Sequence, residues 1–166
     1  MSGAVLDVRK TSEASGTIQL VSFRLGAEEY GIEITKVQEI ILLGEITRIP
    51  QTPSYIKGLI NLRSSVIPIL DLRLRFGLSE EAPTDSTRIM VVNVEGRTLG
   101  VIVDAVSEVL RVNSSHISPP PPTVAALGKD YLTGLAKLDN RLLILLNIDR
   151  LFSFEDVISA DTVAGV

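Results

Sequence analysis

Few side chains of this 166-residue chain could perform chemistry, and they do not cluster in the sequence. The single histidine, His116, could bind a metal ion only with carboxylates that the sequence does not group near it. Ser64 and Ser65 lack a neighbouring base that could activate a serine nucleophile. Glu39 and Asp71 could act as base and acid, but a solvated helix glutamate and a strand aspartate paired with an arginine are the plainer interpretations. We therefore predict no catalytic residues, no metal site and no cofactor.

Composition narrows the remaining classes of function. Cysteine is absent, which excludes disulfides and fits a reducing cytoplasm. The net charge is -4 and no basic stripe alternates with aromatic residues, so nucleic acid is not an expected partner. The longest aliphatic run, "LLILL" from Leu142, is far shorter than the roughly 20 residues that cross a bilayer. Residues 1–16 lack the apolar block of a secretory signal, and we expect them to be a disordered tail.

The elements that would position functional residues occur twice. "LVSFRLGAEEYGIEITKVQEII" from Leu20 aligns with "IMVVNVEGRTLGVIVDAVSEVL" from Ile89, and "YIKGLINLRSSVIPILDLRLRF" from Tyr55 aligns with "YLTGLAKLDNRLLILLNIDRLF" from Tyr131. In each first segment, apolar residues alternate on both sides of a glycine-containing turn, which predicts a β-hairpin. The chain is therefore interpreted as an internal duplication.

Each copy continues in the same way after its hairpin. Thr35 or Asp104 offers an N-cap for one helical turn, with Gln38 completing a weak capping box in the first copy, and two apolar strands follow. The pattern predicts an all-β chain of two small antiparallel barrels, with repeats at about 17–78 and 87–152 that are intertwined or closely packed. Residues 153–166 are expected to form a tail or a short helix from Phe154 to about Thr162.

Two segments that differ between the copies suggest binding. "NLRSS" in the first copy corresponds to "KLDNR" in the second, so Arg63 occupies a turn where the second copy has an aspartate. A turn arginine is often only solvated, but arginine is also a favoured anchor at interfaces. The run from Pro119 to Pro122 could form a polyproline II segment that docks on a partner, or a rigid surface loop.

Four motifs together resemble the CheW family, the coupling proteins of bacterial chemotaxis. They are "YGIEITKVQEI", "TRIPQTPSYIKGLINLRSSVIPILDLRLRFG", "GVIVDAVSEVL" and "YLTGLAKLDNRLLILLNIDRL", and the resemblance runs from about residue 17 to 152. It implies two tandem SH3-like five-stranded β-barrels with a hydrophobic groove between them. It also implies a non-catalytic adaptor that couples the cytoplasmic tips of methyl-accepting chemotaxis receptors to the regulatory domain of the histidine kinase CheA. We expect a cytoplasmic protein that is recruited to receptor arrays and is monomeric when free.

The resemblance also implies site residues. By position, the receptor-binding set is Val37, Glu39 and Ile40 on the helical turn, Gly58, Asn61, Leu62 and Arg63 after Tyr55, and Val106 as the counterpart of Val37. The residues expected to bind the kinase are Leu42, Leu43 and Ile46. Two departures from the family pattern stand out. Ser64 replaces the glycine of an "NLRG" motif, so the turn could differ locally if that glycine has a positive φ. "SPPPPTV" replaces a loop in which larger side chains are expected to make lateral contacts.

Two alternatives remain open at this point. The chain could serve a chemotaxis-like kinase pathway that does not control flagella. A small β-barrel enzyme is the more remote possibility, and it would need a pocket with convergent polar groups.

Overall fold

The computed structural model of the protein describes residues 16–125 and 131–152. The strands in these ranges are β1 (Thr17–Leu25), β2 (Glu28–Glu33), β3 (Val37–Leu42), β4 (Ile56–Leu62), β5 (Ser65–Asp71), β6 (Arg88–Val94), β7 (Arg97–Val103), β8 (Ala105–Asn113), β9 (Ile117–Ser118), β10 (Leu132–Leu138) and β11 (Arg141–Leu146). The short helices are α1 (Leu72–Arg75), α2 (Pro122–Ala125) and α3 (Ile148–Leu151), with 3₁₀ turns at Ile34–Lys36 and Ser114–His116. The predicted all-β class is confirmed. The helix predicted from Phe154 and, apart from Gly16, the N-terminal tail lie outside the described residues.

The two sequence copies exchange their hairpins. A six-stranded sheet has the order β9-β10-β11-β2-β1-β8, and a five-stranded sheet has the order β3-β6-β7-β5-β4. The first sheet therefore takes hairpin β1–β2 from the first copy and its other strands from the second, and the second sheet does the reverse. Parallel pairs join the copies at equivalent positions, Leu145 with Gly31 and Ile69 with Gly100. The repeat limits drawn from the sequence stay predictions, but the strands of the two copies are interleaved.

Each sheet curves into a barrel. In the five-stranded sheet, Thr47 and Leu59 exchange two backbone hydrogen bonds of 2.9 and 2.8 Å, which joins the segment after β3 to edge strand β4. In the six-stranded sheet, only the 3₁₀ turn Ser114–His116 separates edge strand β8 from β9 at the opposite edge. We call the five-stranded barrel, which contains β3 to β5, barrel B, and the other one barrel A.

Alternating side chains supply three cores. On β6, Ile89 and Val91 point into barrel B, while Met90 and Val92 point into a larger core shared by both sheets. On β1, Leu20 packs inside barrel A, and Val21 joins the shared core. Because successive residues of a strand point to opposite faces, an uninterrupted apolar strand fills two cores at once. The large shared core holds the two barrels together.

The repeated tyrosines have equivalent places in this arrangement. Tyr55 and Tyr131 precede β4 and β10, and both pack against the shared core. The backbone oxygen of Tyr55 accepts a hydrogen bond from Asp71 N at 2.6 Å, and that of Tyr131 accepts one from Asn147 N at 2.8 Å. The repeated motif thus places its tyrosine beside the end of the strand that completes the same copy.

The helical turns predicted to begin after Thr35 and after Asp104 are wrong. In the first copy a 3₁₀ turn begins at Ile34, its N-cap Glu33 makes no side-chain cap bond, and β3 follows directly. In the second copy, strand β8 begins right after Asp104. The segments that follow these residues alternate in burial and pair with β6 and β1, so long-range strand pairing overrides the weak local capping signal.

Ion pairs hold both hairpin tips near the points where the chain crosses between barrels. Asp104 Oδ2 accepts hydrogen bonds of 2.7 Å from Gly26 N and from Arg73 Nη1. Asp149 accepts from Lys36 Nζ at 2.6 Å and from Glu95 N at 3.3 Å. In both places a carboxylate binds a backbone amide of the hairpin turn and a cation from the other copy.

The proline run does not form one continuous extended segment. Pro119 to Pro121 have no regular secondary structure, and Pro122 begins helix α2. Proline suits the first turn of a helix because the amide hydrogen that it lacks would be unpaired there. None of the helices in the described ranges is long and apolar enough to cross a membrane.

Candidate partner-binding site

Glu39 and Arg63 form an ion pair that links the two edges of the five-stranded sheet. Arg63 lies in the turn between β4 and β5, and Glu39 lies on edge strand β3. Arg63 Nη1 donates to Glu39 Oε1 at 3.2 Å, and Nη2 contacts Oε2, so the contact is bidentate. The hydrogen bond from Arg63 lowers the pKa of Glu39, and that to Glu39 raises the pKa of Arg63. Both groups therefore remain charged at neutral pH.

The turn that presents Arg63 has a strained backbone. Arg63 and Ser64 have φ values of 47° and 73°, which corresponds to a two-residue turn of the type that favours glycine. Asn61 Oδ1 accepts a hydrogen bond of 3.1 Å from Ser64 N and supports this conformation. Ser64 therefore keeps a positive φ, and the cost of the serine is local strain.

Strand β3 presents alternate residues to solvent and to the core. Ile40 and Leu42 are 40% and 71% exposed, while Val37 packs against the shared core and Ile41 packs in barrel B. A bulge between Val37 and Glu39 shifts the register against β6, which allows Val37 and Ile41 to serve different cores. Ile40 is thus exposed and follows Glu39 directly in the strand.

Val66 is another exposed aliphatic residue close to Arg63 in the sequence, and sequence reasoning missed it. It follows the turn on β5 and is 48% exposed. In the alternation of β5, Val66 shares a face with Pro68 and Leu70, which are buried. The sequence alternation therefore gave no signal that Val66 is exposed. We call Glu39, Ile40, Arg63 and Val66 the ion-pair surface.

The other predicted receptor-binding residues have different surroundings. Gly58 is buried, and a Cβ atom on it would lie 2.0 Å from the carbonyl oxygen of Thr47. Leu62 packs in the core of barrel B. Val106 lies on β8 of the other sheet and packs against the shared core. The structure therefore brings Glu39 and Arg63 together with Ile40 and Asn61, and it places Val106 on the opposite barrel.

The predicted kinase-binding residues do not form one continuous face. Leu42 points to solvent, whereas Leu43 and Ile46 pack against the core of barrel B and also line a cleft. Leu42 is the most exposed large aliphatic side chain in the described ranges.

The second copy has a related arrangement with different charges. Glu108, the counterpart of Glu39, accepts a hydrogen bond of 2.7 Å from Arg141 Nη2. Val109 and Leu142, the counterparts of Ile40 and Val66, are 53% and 48% exposed. Here the arginine lies on the strand, and the turn contains Asp139. A positively charged turn is therefore specific to the first copy.

The residues considered for catalysis are not assembled into an active site. Asp71 Oδ1 accepts from Leu74 N at 3.1 Å and caps helix α1, instead of pairing with an arginine as predicted. Burial raises the pKa of Asp71. Glu39 binds Arg63, and His116 is exposed in a 3₁₀ turn. Within residues 16–125 and 131–152, no three metal-ligating side chains are grouped.

These features define a class of protein: an interleaved pair of small β-barrels that presents aliphatic and charged groups suited to protein contacts. The family model for the CheW-like domain matches residues 19–156. The chain belongs to this family.

Individual relatives agree with this assignment. The chemotaxis protein CheW of Klebsiella aerogenes is 42% identical over 164 residues, which cover 99% of this chain and 98% of the relative. The chemotaxis protein CheW of Treponema pallidum is 36% identical, with 84% of each chain covered. The crystal structure of the scaffolding protein TtCheW from Thermoanaerobacter tengcongensis superposes with a TM-score of 0.74 at 37% identity, over 84% of this chain and 94% of that one. The chain is thus a coupling adaptor of chemotaxis, and the comparisons do not favour the enzyme or the pathway alternative.

Proposed function

We propose that this adaptor couples the cytoplasmic tips of chemoreceptors to the regulatory domain of a CheA-type histidine kinase, without catalysing a reaction itself. The work would take place in the cytoplasm, at receptor arrays. The observation that carries the proposal is the bidentate ion pair of Arg63 and Glu39, with exposed Ile40 next to Glu39 in the sequence and exposed Val66 three residues after Arg63.

The ion-pair surface suits an amphipathic helix. A helix presents aliphatic side chains at spacings of three and four residues, and exposed aliphatic groups of the adaptor would receive them. Both charged groups are accessible to a partner, because the side chains of Arg63 and Glu39 are 68% and 30% exposed. Charged groups at the rim of an interface chiefly set orientation and specificity.

The kinase would contact barrel B around Leu42. Leu42 is 71% exposed on the same strand as Glu39, so its apolar surface is available to a partner. Two partners on one small barrel would place the receptor and the kinase close enough to influence each other.

The internal repeat offers a matched test of the receptor surface. A soluble receptor fragment that contains the tip is labelled, and its binding is followed by fluorescence anisotropy. Val66→Glu introduces a charge on the ion-pair surface, whereas Leu142→Glu introduces the same charge at the equivalent position of the second copy. We expect Val66→Glu to weaken binding at least about tenfold and Leu142→Glu to leave it near the parent value. Equal effects of the two substitutions would contradict the assignment of the receptor to the first copy.

A further inference from the structure

A cleft of about 510 Å³ lies beside the point where the chain passes from barrel B to barrel A. One wall is the segment after β3, with Leu43 and Ile46, and Ile102 contributes a third aliphatic side chain. The opposite wall is the loop between α1 and β6. Residues 77–86 of this loop are all exposed and have no helix or strand, and we call them the strap.

The strap covers two cations that are almost buried. The side chains of Lys57 and Arg73 are each only 13% exposed. Lys57 Nζ contacts Glu80 Oε2, and Arg73 Nη2 lies 4.0 Å from Glu81 Oε2. Arg73 Nε also donates to the carbonyl oxygen of Ser79 at 2.9 Å. In contrast, the side chains of Glu80 and Glu81 are 56% and 63% exposed.

We propose that this cleft is a binding site for an acidic segment of a partner protein, and that Glu80 and Glu81 of the strap compete intramolecularly for its cations. The occupant is a short peptide in which an aliphatic residue lies next to two carboxylates. The proposal goes beyond the receptor and kinase assignment, and it holds whichever protein supplies the segment.

Charge balance identifies the chemistry of the occupant. Four cations and two carboxylates line the cleft apart from the strap: Arg24, Arg48, Lys57, Arg73, Asp71 and Asp104. Without the strap this set carries a net charge of +2, as four positive charges less two negative ones, and the two strap glutamates bring it to zero. The aliphatic wall then favours an occupant with an apolar side chain beside its carboxylates. The strap itself places the apolar Ala82 beside Glu80 and Glu81 at the cleft, within the sequence "LSEEAP" from Leu78 to Pro83.

The strap is anchored at its ends and weakly held in its middle. At one end, Leu78 N donates to Arg73 O at 2.8 Å, and at the other, Thr87 is buried and accepts a hydrogen bond of 2.9 Å from Thr84 N. Between these anchors, its contacts to the cleft are the ion pairs of Glu80 and Glu81, whose side chains are exposed, and the hydrogen bond from Arg73 Nε to Ser79 O. We expect the two exposed carboxylates to exchange with those of a bound peptide while the ends of the strap stay in place.

A tethered competitor acts at high effective concentration. Short flexible tethers give effective concentrations in the millimolar range, so a free acidic peptide competes poorly with an intact strap. Removing the two strap charges while keeping the loop length should expose the cations without changing the fold.

Fluorescence anisotropy with a labelled, end-blocked LSEEAP peptide tests the proposal on the full chain. The double variant Glu80→Gln/Glu81→Gln should bind this peptide at least about tenfold more tightly than the parent does, and Glu81→Gln alone should give an intermediate affinity. The control peptide LSQQAP should not bind the double variant measurably. Thermal unfolding monitors the fold of each variant.

A second variant tests whether the exposed cations of the cleft contribute. Adding Arg24→Gln and Arg48→Gln, both at exposed positions, to the double variant should reduce binding of LSEEAP towards the parent value. Equal affinity of the parent and the double variant would overturn the proposal, as would equal binding of the two peptides. Neither receptor nor kinase is present, so these results do not depend on the proposed coupling function.

Discussion

Arg63 and Glu39 lie 24 residues apart in the sequence, yet their side chains form a bidentate ion pair that joins opposite edges of one sheet. The pair fixes the position of a turn in which two residues without the freedom of glycine have positive φ values. Exposed Ile40 and Val66 lie close to the two charged residues in the sequence. The proposed binding residue Arg63 therefore lies in a turn with local backbone strain.

Reversing the charge of Arg63 should separate binding from folding. Arg63→Glu places two carboxylates side by side, but both positions are solvated, so the unfolding midpoint should change little. The swap Glu39→Arg/Arg63→Glu restores an internal ion pair with reversed polarity. Because the partner would meet the reversed charges, we expect kinase control in a reconstituted receptor array to be lost in both variants.

Arg111→Glu is a suitable control for this charge reversal, since Arg111 is exposed on β8 of barrel A. It should leave kinase control intact. Normal control by the Arg63→Glu protein would show that the ion-pair surface has no part in coupling.

Gly58 should tolerate no side chain. The Cβ of Gly58→Ala would lie 2.0 Å from the backbone oxygen of Thr47, and its φ of 146° disfavours a side chain. We expect a loss of about 2–3 kcal/mol in the free energy of unfolding, measured by urea titration. Gly44→Ala is the control, because no atom lies within 4 Å of its added Cβ. Similar stability of the two variants would contradict the described closure of barrel B.

Ser64→Gly should stabilise the fold. A residue with a side chain at a φ of 73° carries a conformational cost of about 1 kcal/mol, which glycine removes. The neighbouring Ser65 begins strand β5, so Ser65→Gly should instead weaken the fold slightly. Differential scanning calorimetry of both variants measures whether each melting temperature rises or falls relative to the parent. A lower melting temperature for Ser64→Gly would argue against the turn geometry.

The stability of the Asp71→Asn protein relative to the parent should depend on pH. Burial raises the pKa of Asp71 above its ordinary value of 3.8, so the folded protein holds this proton more tightly than the unfolded chain. Ionisation of Asp71 therefore opposes folding, and its contribution becomes more unfavourable as pH rises above the ordinary pKa.

Asparagine lacks this ionisation but keeps an oxygen that can accept from Leu74 N. Urea titrations from about pH 3 to about pH 6 should show the stability of Asp71→Asn rising relative to the parent. A constant or falling difference would contradict the buried environment of Asp71.

Alternation in the sequence predicted the β-hairpins, which are formed by residues close to one another in the chain. Val21, Phe23 and Leu25 alternate around the turn at Gly26, and the structure buries all three in the shared core. The parallel pairing of Leu145 with Gly31 joins segments from different copies, and no local pattern specifies it. Duplicated sequences satisfy the same alternation whether a hairpin stays with its own copy or is exchanged, so the sequence left intertwined and closely packed repeats open, and the structure shows the exchange.

The candidate site was also predicted only in part. Glu39 and Arg63 were both predicted as binding residues. Their ion pair was not predicted, because it joins residues that are distant in the sequence. Gly58 was assigned to the groove, although its repeat at Gly134 signalled an architectural need that both copies share. A Cβ on Gly134 would lie 2.9 Å from the carbonyl oxygen of Ser118, which repeats the crowding at Gly58.

Calorimetric titration of the purified chain with the isolated regulatory domain of a chemotaxis histidine kinase, from the same genome, tests the coupling function most directly. The account predicts saturable one-to-one binding that Leu42→Glu weakens and Leu142→Glu does not. Absence of binding by the folded parent protein would contradict the proposed role of the chain as the link to the kinase.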